Sequence, residues 1–352
     1  MIFMTRDEQY MQRCLELAAA GIRSVAPNPM VGSVIVHEDK IIGEGFHQQF
    51  GGAHAEVHAI NSVENPAFLK RSTIYVSLEP CAHFGKTPPC AELIKETGIP
   101  KVVIATSDPN PLVNGKGIEL LKEAGCEVIT GVLEKEANEL NRRFFHFYQT
   151  GRPYFILKWA ETKDGFLDKE RIKSDPVQPN WITDDVCRML VHRWRTEEQA
   201  IMVGTNTALL DNPNLDNRFW PGAAPIKLIP DRSLKIPLSY NLFKPTSTVY
   251  VFNTLKDSRE GHVNLIKTDF NHLLENIVAF LNEKNIQSVI IEGGSSLIQS
   301  FIDKKMWDEA RIFTGPVIFE SGLRAPVISG NCIFDEEISN SRLRILRPFL
   351  YI

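Results

Sequence analysis

Long hydrophobic segments are absent from this sequence. No run approaches 18 apolar residues, which is about the length that a helix needs to cross a membrane. The N-terminal stretch MIFMTRDEQYMQRCLELAAAG has no apolar core of signal-peptide type, and it places Asp7 and Glu8 in a first helical turn. We therefore expect a cytoplasmic protein that has no membrane partner.

Cysteine and net charge are also low enough to exclude several classes of protein. The six cysteines, at positions 14, 81, 90, 126, 187 and 332, show no spacing typical of a disulfide framework, so we expect reduced thiols. The net charge of -4 argues against a large nucleic-acid-binding surface. The G-x-G-x-x-G fingerprint is missing as well, so a Rossmann dinucleotide-binding domain is not supported.

The length of the chain indicates two domains. Its 352 residues exceed the roughly 250–300 residues that a single hydrophobic core usually supports. The segment Thr150-Gly151-Arg152-Pro153 contains Gly and Pro, which end regular structure. We place the boundary there, which gives domains of residues 1–150 and 151–352.

The strongest chemical signal is a His-x-Glu motif followed by two cysteines that each come after a proline. His54 and Glu56 form the first part, and Cys81 and Cys90 form the second. One imidazole and two thiolates are ligands that zinc prefers, and they leave a fourth tetrahedral position for water. In zinc deaminases the Glu of this motif carries a proton from water to the leaving nitrogen. We therefore predict a catalytic Zn²⁺ site with His54, Cys81 and Cys90 as ligands and Glu56 as the proton carrier.

Two other kinds of zinc site compete with this interpretation. A protease-like pair of His54 and His58 would need Glu directly after the first His, but Ala55 holds that position. A purely structural zinc site would need a fourth protein ligand, and His83 is a candidate for it. The sequence disfavours the first alternative and leaves the second one open.

The residues around the motif predict an α/β arrangement. Strand-like and helix-like segments alternate from residue 73 to 130, which is typical of a sheet with parallel strands. Pro80-Cys81 and Pro89-Cys90 are both favourable helix starts, and a helix N-terminus favours a thiolate. One long helix is expected over residues 132–148. Asp108 and Asn110 follow a predicted strand, at the end where open α/β sheets bind ligands.

Four segments of the first half resemble the bifunctional deaminase/reductase family of riboflavin biosynthesis. They are PNPMVGSVIV from Pro27, HAEVHAI from His54, EPCAHFGKTPPC from Glu79 and DPNP from Asp108. The resemblance implies an N-terminal cytidine-deaminase-like three-layer α/β/α domain. It also implies that the substrate is a small phosphorylated ribosylaminopyrimidine and not a nucleic acid. The side chains implied to contact it are Asn28, His83, Lys86, Asp108 and Asn110. Taken alone, Asn28 could be a turn residue, and His83 and Lys86 could be exposed loop charges.

The second half resembles the reductase domain of the same family. Ordered matches are spread over residues 153–330 and include Lys158, Gly204-Thr-Asn-Thr207 and Glu292-Gly293-Gly294. The resemblance implies a C-terminal dihydrofolate-reductase-like α/β domain that uses NADPH. The residues implied to face the sugar phosphate are Lys158, Arg195, Leu215, Arg218 and Glu292. Those implied to hold the cofactor are Glu161, Trp181, Thr207, Asp211, Gly293, Gly294, Ser295 and Ser296.

Elementary chemistry fits two of these assignments. Gly293 and Gly294 lie between a predicted strand and a predicted helix, where backbone N–H groups can approach a phosphate. A lone Gly pair also forms ordinary turns, however. Arg195 and Arg218 offer planar forks that suit a phosphate monoester, although each could also be a solvated surface charge.

The resemblance implies two successive reactions. The first is the zinc-dependent hydrolytic deamination of 2,5-diamino-6-ribosylamino-4(3H)-pyrimidinone 5′-phosphate. The second is the NADPH-dependent reduction of the ribosyl group to a ribityl chain. Glu161, Lys163 and Pro179 depart from the family's pattern, so a deaminase with a non-catalytic second half stays an alternative. We also expect a homodimer or a higher homo-oligomer.

Overall fold

The computed structural model describes residues 4–22, 24–83, 88–172 and 175–349. The chain divides into two compact units, Met1–Gly151 and Arg152–Ile352. The last helix of the first unit ends at Thr150, and Gly151 follows in the left-handed conformation that glycine adopts at low cost. In the described part of the chain, no helix combines the length and the hydropathy needed to cross a membrane.

The first unit contains a five-stranded sheet and six described helices. The helices are α1 (Arg6–Ala19), α2 (Ala55–Asn61), α3 (Cys90–Thr97), α4 (Lys116–Glu123), α5 (Glu134–Leu140) and α6 (Arg142–Thr150), with a 3₁₀ turn at Pro66–Arg71. The strands are β1 (Gly32–His37), β2 (Lys40–Phe46), β3 (Thr73–Val76), β4 (Lys101–Ile104) and β5 (Glu127–Thr130). Their order is β2-β1-β3-β4-β5; β3, β4 and β5 are parallel, and β1 is antiparallel to both of its neighbours.

Both faces of this sheet are covered by helices. Along β3, Ile74 and Val76 pack with apolar residues of α2, α3 and α4, whereas Tyr75 packs with residues of α1 and α5. Successive residues of a strand point to opposite faces, so a strand that is apolar throughout needs cover on both sides. The predicted three-layer α/β/α arrangement is therefore confirmed.

The expected long helix over residues 132–148 is wrong, because Asn141 divides it into α5 and α6. The buried Asn141 side chain bonds both backbone groups of Met30: its Oδ1 accepts from Met30 N at 2.8 Å, and its Nδ2 donates to Met30 O at 2.8 Å. Asn is a weak helix former since its amide competes for backbone partners. A contact with a residue distant in sequence thus ends the helix.

The second unit is built around a ten-stranded sheet. The described strands of this unit, ten in the sheet and two in a separate ribbon, are β6 (Tyr154–Glu161), β7 (Phe166–Asp168), β8 (Ala200–Met202), β9 (Ile226–Pro230), β10 (Val249–Asn253), β11 (Ser258–Glu260), β12 (Val263–Lys267), β13 (Ser288–Glu292), β14 (Glu309–Thr314), β15 (Leu323–Arg324), β16 (Asn331–Ile338) and β17 (Ser341–Arg347). The helices are α7 (Asp185–Glu197), α8 (Thr205–Asp211), α9 (Leu273–Glu283) and α10 (Ser295–Asp303), with 3₁₀ turns at Asn241–Phe243 and Phe270–His272.

The middle of the large sheet is parallel. The full order is β11-β12-β10-β9-β8-β13-β6-β14-β17-β16, and β7 pairs with β15 in a separate ribbon. The strands from β12 to β14 in this order are parallel, and β11, β17 and β16 are antiparallel to their neighbours. Helices α9 and α10 contribute to the apolar cluster on one face, and α7 and α8 to the cluster on the other. The central strands β6 and β13 pair Lys158, in the middle of β6, with Glu292, the last residue of β13.

Helix α2, which carries Glu56, lies directly on β2 at two glycines. A Cβ atom added to Gly45 would lie 2.5 Å from Ala55 O and 2.5 Å from Ala59 N. A Cβ atom added to Gly43 would lie 2.5 Å from Ala59 O. Because these neighbours are backbone atoms, they cannot move aside as a flexible side chain can. The two glycines therefore set how deeply the helix lies on the sheet.

We expect Gly45→Ala to lower the free energy of unfolding by about 2–3 kcal/mol, because the added methyl group overpacks this contact. Denaturant titration followed by circular dichroism measures the change. Lys40→Ala, at the exposed start of the same strand, is the control and should change the free energy of unfolding by less than about 0.5 kcal/mol. Equal stability of Gly45→Ala and the parent protein would contradict the close approach of helix and strand.

Candidate active sites

Three side chains of the first unit meet at one point. His54 Nδ1 lies 3.5 Å from Cys81 Sγ and 3.3 Å from Cys90 Sγ. The three atoms all lie within 4.8 Å of one another. Ligand atoms bound at about 2.0–2.3 Å to one tetrahedral zinc ion are separated by about 3.5 Å. The donor types and their spacing therefore fit zinc.

Each of these side chains is placed by the end of a secondary-structure element. His54 directly precedes α2, Cys90 is the first residue of α3, and Cys81 lies in the segment that follows β3. The predicted helix start at Cys90 is confirmed, but the one at Cys81 is wrong. The Cys81 carbonyl accepts from Ala91 N at 3.1 Å, so it caps α3 and does not begin a helix of its own.

Glu56 is buried beside this group. It lies in the first turn of α2, and only 3% of the residue is exposed. Burial raises the pKa of the Glu56 carboxyl to about 7; His54 acts in the opposite direction, and Cys81 adds to the rise. The carboxyl is thus placed to exchange protons with groups at this centre and is shielded from bulk water.

Asn28 contacts a histidine for which the sequence reasoning predicted no role. Asn28 Nδ2 lies 3.1 Å from His47 Nε2, and His47 Nδ1 lies 3.0 Å from Ala53 O. Because a carbonyl oxygen only accepts, Nδ1 carries the proton and Nε2 accepts from Asn28. The His47 ring lies edge-on to the His54 ring, with 5.4 Å between the ring centroids. One feature could have pointed to a role for His47: it directly follows β2, and the helix next to this strand carries Glu56.

Asp108 and Asn110 lie in the turn that follows β4. Asp108 is buried, and its Oδ1 accepts from Asn110 N at 2.8 Å, while Asn110 Oδ1 accepts from Leu112 N at 3.1 Å. Burial raises the pKa of Asp108 to about 7 against the effect of its bond to the Asn110 backbone, and Glu79 and Cys81 raise it further. Both side chains thus stabilise their own turn as well as being candidates for substrate contact.

The two remaining candidates of the first unit lie between Cys81 and Cys90. His83 is exposed and is not a member of the group of ligand atoms formed by His54 and the two cysteines. The fourth protein ligand that a purely structural zinc site requires is therefore not supplied by His83. Lys86 lies outside the described residues.

In the second unit, Lys158, Arg195 and Glu292 form a buried charge cluster. Arg195 Nε and Nη2 each donate to the Glu292 carboxylate at 2.7 Å, and Lys158 Nζ lies 3.8 Å from Glu292 Oε2. Burial acts to raise the pKa of Glu292, but Arg195 and Lys158 outweigh it and lower the pKa to about 2. Burial also lowers the pKa of Lys158, while Glu292 opposes this shift. Two cations therefore share one carboxylate.

The fork of Arg195 is directed to protein groups. Besides Glu292, it donates from Nη1 to Asp216 O at 2.8 Å. Arg218 bonds Asp216 Oδ1 at 2.6 Å, and its side chain is 43% exposed. Leu215 packs in the hydrophobic core with a positive φ of 54°. The segment from Leu215 to Arg218 thus lies beside the charge cluster. Of the two arginines, Arg218 is more accessible than Arg195.

The glycine pair lies against Thr207. A Cβ atom at Gly293 would lie 3.0 Å from Thr207 Cγ2, and one at Gly294 would lie 3.1 Å from Thr207 Oγ1. Both glycines have positive φ, and Gly294 directly precedes α10, whose first two residues are Ser295 and Ser296. Ser295 Oγ donates to Arg324 O at 3.2 Å, and Ser296 is exposed. Positive-φ glycines at the start of a nine-residue helix fit the binding of a cofactor phosphate.

The other residues assigned to the cofactor have protein partners. Glu161 accepts from Trp159 Nε1 at 2.9 Å and from Thr314 Oγ1 at 3.2 Å, and it pairs with Arg344 at 3.4 Å. The carboxylate that departs from the family's pattern therefore has a compensating cation.

Asp211 and Trp181 are each contacted by an arginine. Asp211 pairs with Arg171 at 2.7 Å, and Arg171 also binds Asp168 at 2.6 Å. Trp181 is 55% exposed as a residue, with the Arg188 guanidinium 4.6 Å from the centroid of its ring. The structure thus brings Thr207 together with Gly293 and Gly294, and it places Asp211 at the end of the helix that carries Thr207.

Comparison with known proteins decides the family. The cytidine and deoxycytidylate deaminase zinc-binding region matches residues 4–106, and the RibD C-terminal domain matches residues 153–335. The chain belongs to the RibD family. Riboflavin biosynthesis protein RibD of Bacillus amyloliquefaciens is 41% identical over 336 residues, which cover 92% of this chain and 88% of that protein. The Aquifex aeolicus protein of the same name is 40% identical over 325 residues, covering 90% and 89%.

Solved structures of the family share the fold of the whole chain. A diaminohydroxyphosphoribosylaminopyrimidine deaminase/5-amino-6-(5-phosphoribosylamino)uracil reductase from Thermotoga maritima has a TM-score of 0.89, 37% identity and coverage of 97% of this chain and 99% of that one. Acinetobacter baumannii RibD has a TM-score of 0.86, 33% identity and the same coverage. The predicted cytidine-deaminase-like and dihydrofolate-reductase-like domains are therefore confirmed. The chain is a bifunctional deaminase and reductase of riboflavin biosynthesis that uses zinc and NADPH.

We expect the purified protein to hold about one zinc ion per chain and Cys90→Ala to lose most of it, because two ligands remain. His58→Ala, which changes the histidine within α2 four residues after His54, is the matched control and should retain the metal. Glu56→Gln should retain it too, since this carboxyl is not assigned as a ligand. Mass spectrometry of metal content after dialysis measures all four proteins. Zinc retained by Cys90→Ala and lost from His58→Ala would reverse the ligand assignment.

Proposed function

We propose that residues 1–150 deaminate 2,5-diamino-6-ribosylamino-4(3H)-pyrimidinone 5′-phosphate and that residues 151–352 then reduce the ribosyl group of the product with NADPH. The observation that carries the first reaction is the buried Glu56 carboxyl beside the group of His54, Cys81 and Cys90. The double name of the Thermotoga maritima relative supports the order of the two reactions and the class of substrate.

In the deamination, Glu56 has the central role. Zinc, when held by His54, Cys81 and Cys90, lowers the pKa of water from about 15.7 towards 7 and so supplies the nucleophile at neutral pH. Glu56 accepts the proton that this water gives up and delivers it to the amino nitrogen, because ammonia leaves only once it is protonated. Burial of Glu56 favours this internal transfer over loss of the proton to solvent.

Polar groups around Glu56 recognise the pyrimidine in this proposal. Asn28 and His47 form one hydrogen-bonded pair beside His54, and Asp108 and Asn110 lie in the turn after β4. Amide, imidazole and carboxyl groups match the alternating donors and acceptors of a diaminopyrimidinone. Lys86 and the exposed His83 are assigned to the substrate and its phosphate through the family resemblance.

In the reduction, the cluster of Lys158, Glu292 and Arg195 faces the sugar. NADPH, when bound, supplies the hydride. We assign Lys158 to the ring oxygen of the ribose, to which it gives a proton as the ring opens, so that the hydride adds to C1′. Glu292 holds Lys158 and Arg195 in place, and the exposed Arg218 is the better candidate for the phosphate since the fork of Arg195 is engaged. Leu215 shapes the same segment.

The cofactor is assigned to the region around Gly293 and Gly294. These glycines and the start of α10, with Ser295 and Ser296, suit a phosphate, and Thr207 lies beside them. Trp181, Asp211 and Glu161 are the further contacts that the family resemblance implies. The ion pair of Glu161 with Arg344 supports an active second domain, because it reduces the repulsion between this carboxylate and a cofactor phosphate.

We also infer that the chain acts as a homodimer or a higher homo-oligomer in the cytoplasm. Strand β16 lies at the edge of the ten-stranded sheet and is largely exposed, and an unpaired strand edge can pair with a second copy. Thiolate ligands need a reducing compartment, and none of the six cysteines is in a disulfide. Light scattering in solution gives the mass of the native protein.

The zinc-loaded protein should convert the diaminopyrimidine nucleotide to its deaminated form without NADPH and to the ribityl product with NADPH, as identified by mass spectrometry. Glu56→Gln should lower the deamination rate by about 10²–10⁴-fold, because the amide cannot carry the proton. The same variant, supplied with the deaminated intermediate, should still oxidise NADPH. Absence of NADPH oxidation in the parent protein would favour the alternative of a non-catalytic second domain.

Lys158→Met should lower the rate of NADPH oxidation with the deaminated intermediate by about 10²-fold or more, since ring opening loses its proton donor. Deamination by the same protein should stay at the parental rate because it takes place in the other domain. Lys163→Met, which changes a nearby exposed lysine, is the matched control. A parental rate of NADPH oxidation in Lys158→Met would remove Lys158 from the mechanism.

A further inference from the structure

The Glu79 side chain is a buried carboxylate that accepts four backbone hydrogen bonds. Its Oε2 accepts from Asp108 N at 3.2 Å and from Gly115 N at 3.0 Å. Its Oε1 accepts from Gly117 N at 3.0 Å and from Ile118 N at 3.3 Å. The residue is 4% exposed, and within the described residues no cation pairs with it. Both carboxylate oxygens therefore accept hydrogen bonds from backbone N–H groups.

These four bonds join the metal centre to the turn after β4. Glu79 lies two residues before Cys81 in the chain, and its own N–H donates to Thr106 O at 3.0 Å. A Cβ atom at Gly117 would lie 1.9 Å from Pro80 O, so the start of α4 lies directly on the residue before the ligand. A movement of Glu79 would thus be passed to Cys81 as well as to α4.

One oxygen of Glu79 holds both ends of the segment from Asp108 to Gly115. Between these ends, the segment is stabilised by its own bonds: Asp108 Oδ1 with Asn110 N, and Asn110 Oδ1 with Leu112 N. Because these internal bonds fix only local turns, they do not determine where the segment lies relative to the zinc ligands. Glu79 is the side chain that links both ends of this segment to the part of the chain next to Cys81.

The physical setting favours a strong interaction. N–H groups at the start of α4 have no partners within the helix, and a negative charge is stabilised at a helix N-terminus. Hydrogen bonds to a charged acceptor are about twice as strong as neutral ones. A buried carboxylate without a cation is costly unless its oxygens are satisfied, and here four donors satisfy them.

We propose that Glu79 is a positioning residue for the deaminase site. It fixes Asp108 and Asn110 at a set distance from Cys81, so that substrate groups bound by this turn meet the metal centre and Glu56. It does not touch the reacting atoms itself. The inference rests on the proposed function of the first domain, in which Asp108 and Asn110 contact the pyrimidine nucleotide.

The test is Glu79→Gln. An amide presents only one acceptor oxygen, and its NH₂ group meets two backbone N–H groups that need an acceptor, so one pair of bonds is lost. We expect the KM for deamination to rise at least about tenfold, a smaller fall in kcat, parental zinc content and parental NADPH oxidation with the deaminated intermediate. Amide hydrogen exchange at Asp108 and Gly115 should become faster, while exchange in β5 stays unchanged.

Two further variants distinguish the effect of where the Glu79 oxygens lie from the effect of removing a negative charge near the ligands. Glu79→Asp retains both acceptor oxygens on a shorter side chain, so its KM should lie between those of the parent and Glu79→Gln. Glu92→Gln is the matched control: Glu92 lies two residues after the ligand Cys90, but its carboxylate pairs with Lys95 on an exposed helix face. It should have the parental KM and exchange rates.

Parental KM and parental exchange at Asp108 and Gly115 in a folded Glu79→Gln protein would overturn the proposal. If this variant does not fold, hydrogen exchange of the Asp108 and Gly115 amides is measured in the parent protein instead. Rapid exchange of these amides overturns the proposal, and protection supports it. A parent protein that does not deaminate the nucleotide would refute the proposed function. The exchange measurement would still test the role of Glu79, because it does not depend on activity.

Discussion

The first domain depends on a constraint of distance: three ligand atoms from distant parts of the chain must lie within 4.8 Å of one another. The segment before α2 supplies the imidazole, the segment after β3 supplies one thiol, and the start of α3 supplies the other. Such a group stays in place only if the elements that carry it are held against the sheet. The glycines of β2 hold α2 close, and the Cys81 carbonyl caps α3. The positions of the three ligand atoms therefore depend on how the helices pack on the sheet.

The second domain depends on a balance of buried charge. Lys158, Arg195 and Glu292 come from β6, α7 and β13, and the parallel register of the two strands places Lys158 beside Glu292. Removal of both cations would leave the Glu292 carboxylate buried and unpaired, which is strongly destabilising, whereas two cations around this one carboxylate leave a net positive charge. A positive charge suits a phosphorylated sugar and a cofactor that donates hydride. The three side chains that balance this buried charge are also those to which the proposed function assigns the sugar.

Particular residues show how far sequence reasoning reached. Cys90 follows Pro89 and begins a helix as predicted, because this local rule depends only on neighbouring residues. Cys81 follows Pro80 and does not, because its carbonyl caps α3 instead. Asn141 divides a helix that local periodicity predicted as continuous, since its amide binds Met30. His47 and Glu79 received no role from the sequence, because their partners lie in other elements of the fold.

The sequence by itself determined the class of fold, the family and the use of zinc, and it predicted which residues bind the metal and which one carries the proton. These properties depend on residue type and on short spacings, which a linear chain displays directly. Only the tertiary structure decided which polar groups surround the centre, that the fork of Arg195 is engaged by Glu292, and that Glu161 has a compensating cation in Arg344. The reason is physical: hydrogen bonds and ion pairs between distant segments depend on angstrom-scale distances that arise only when the sheet and its helices pack together.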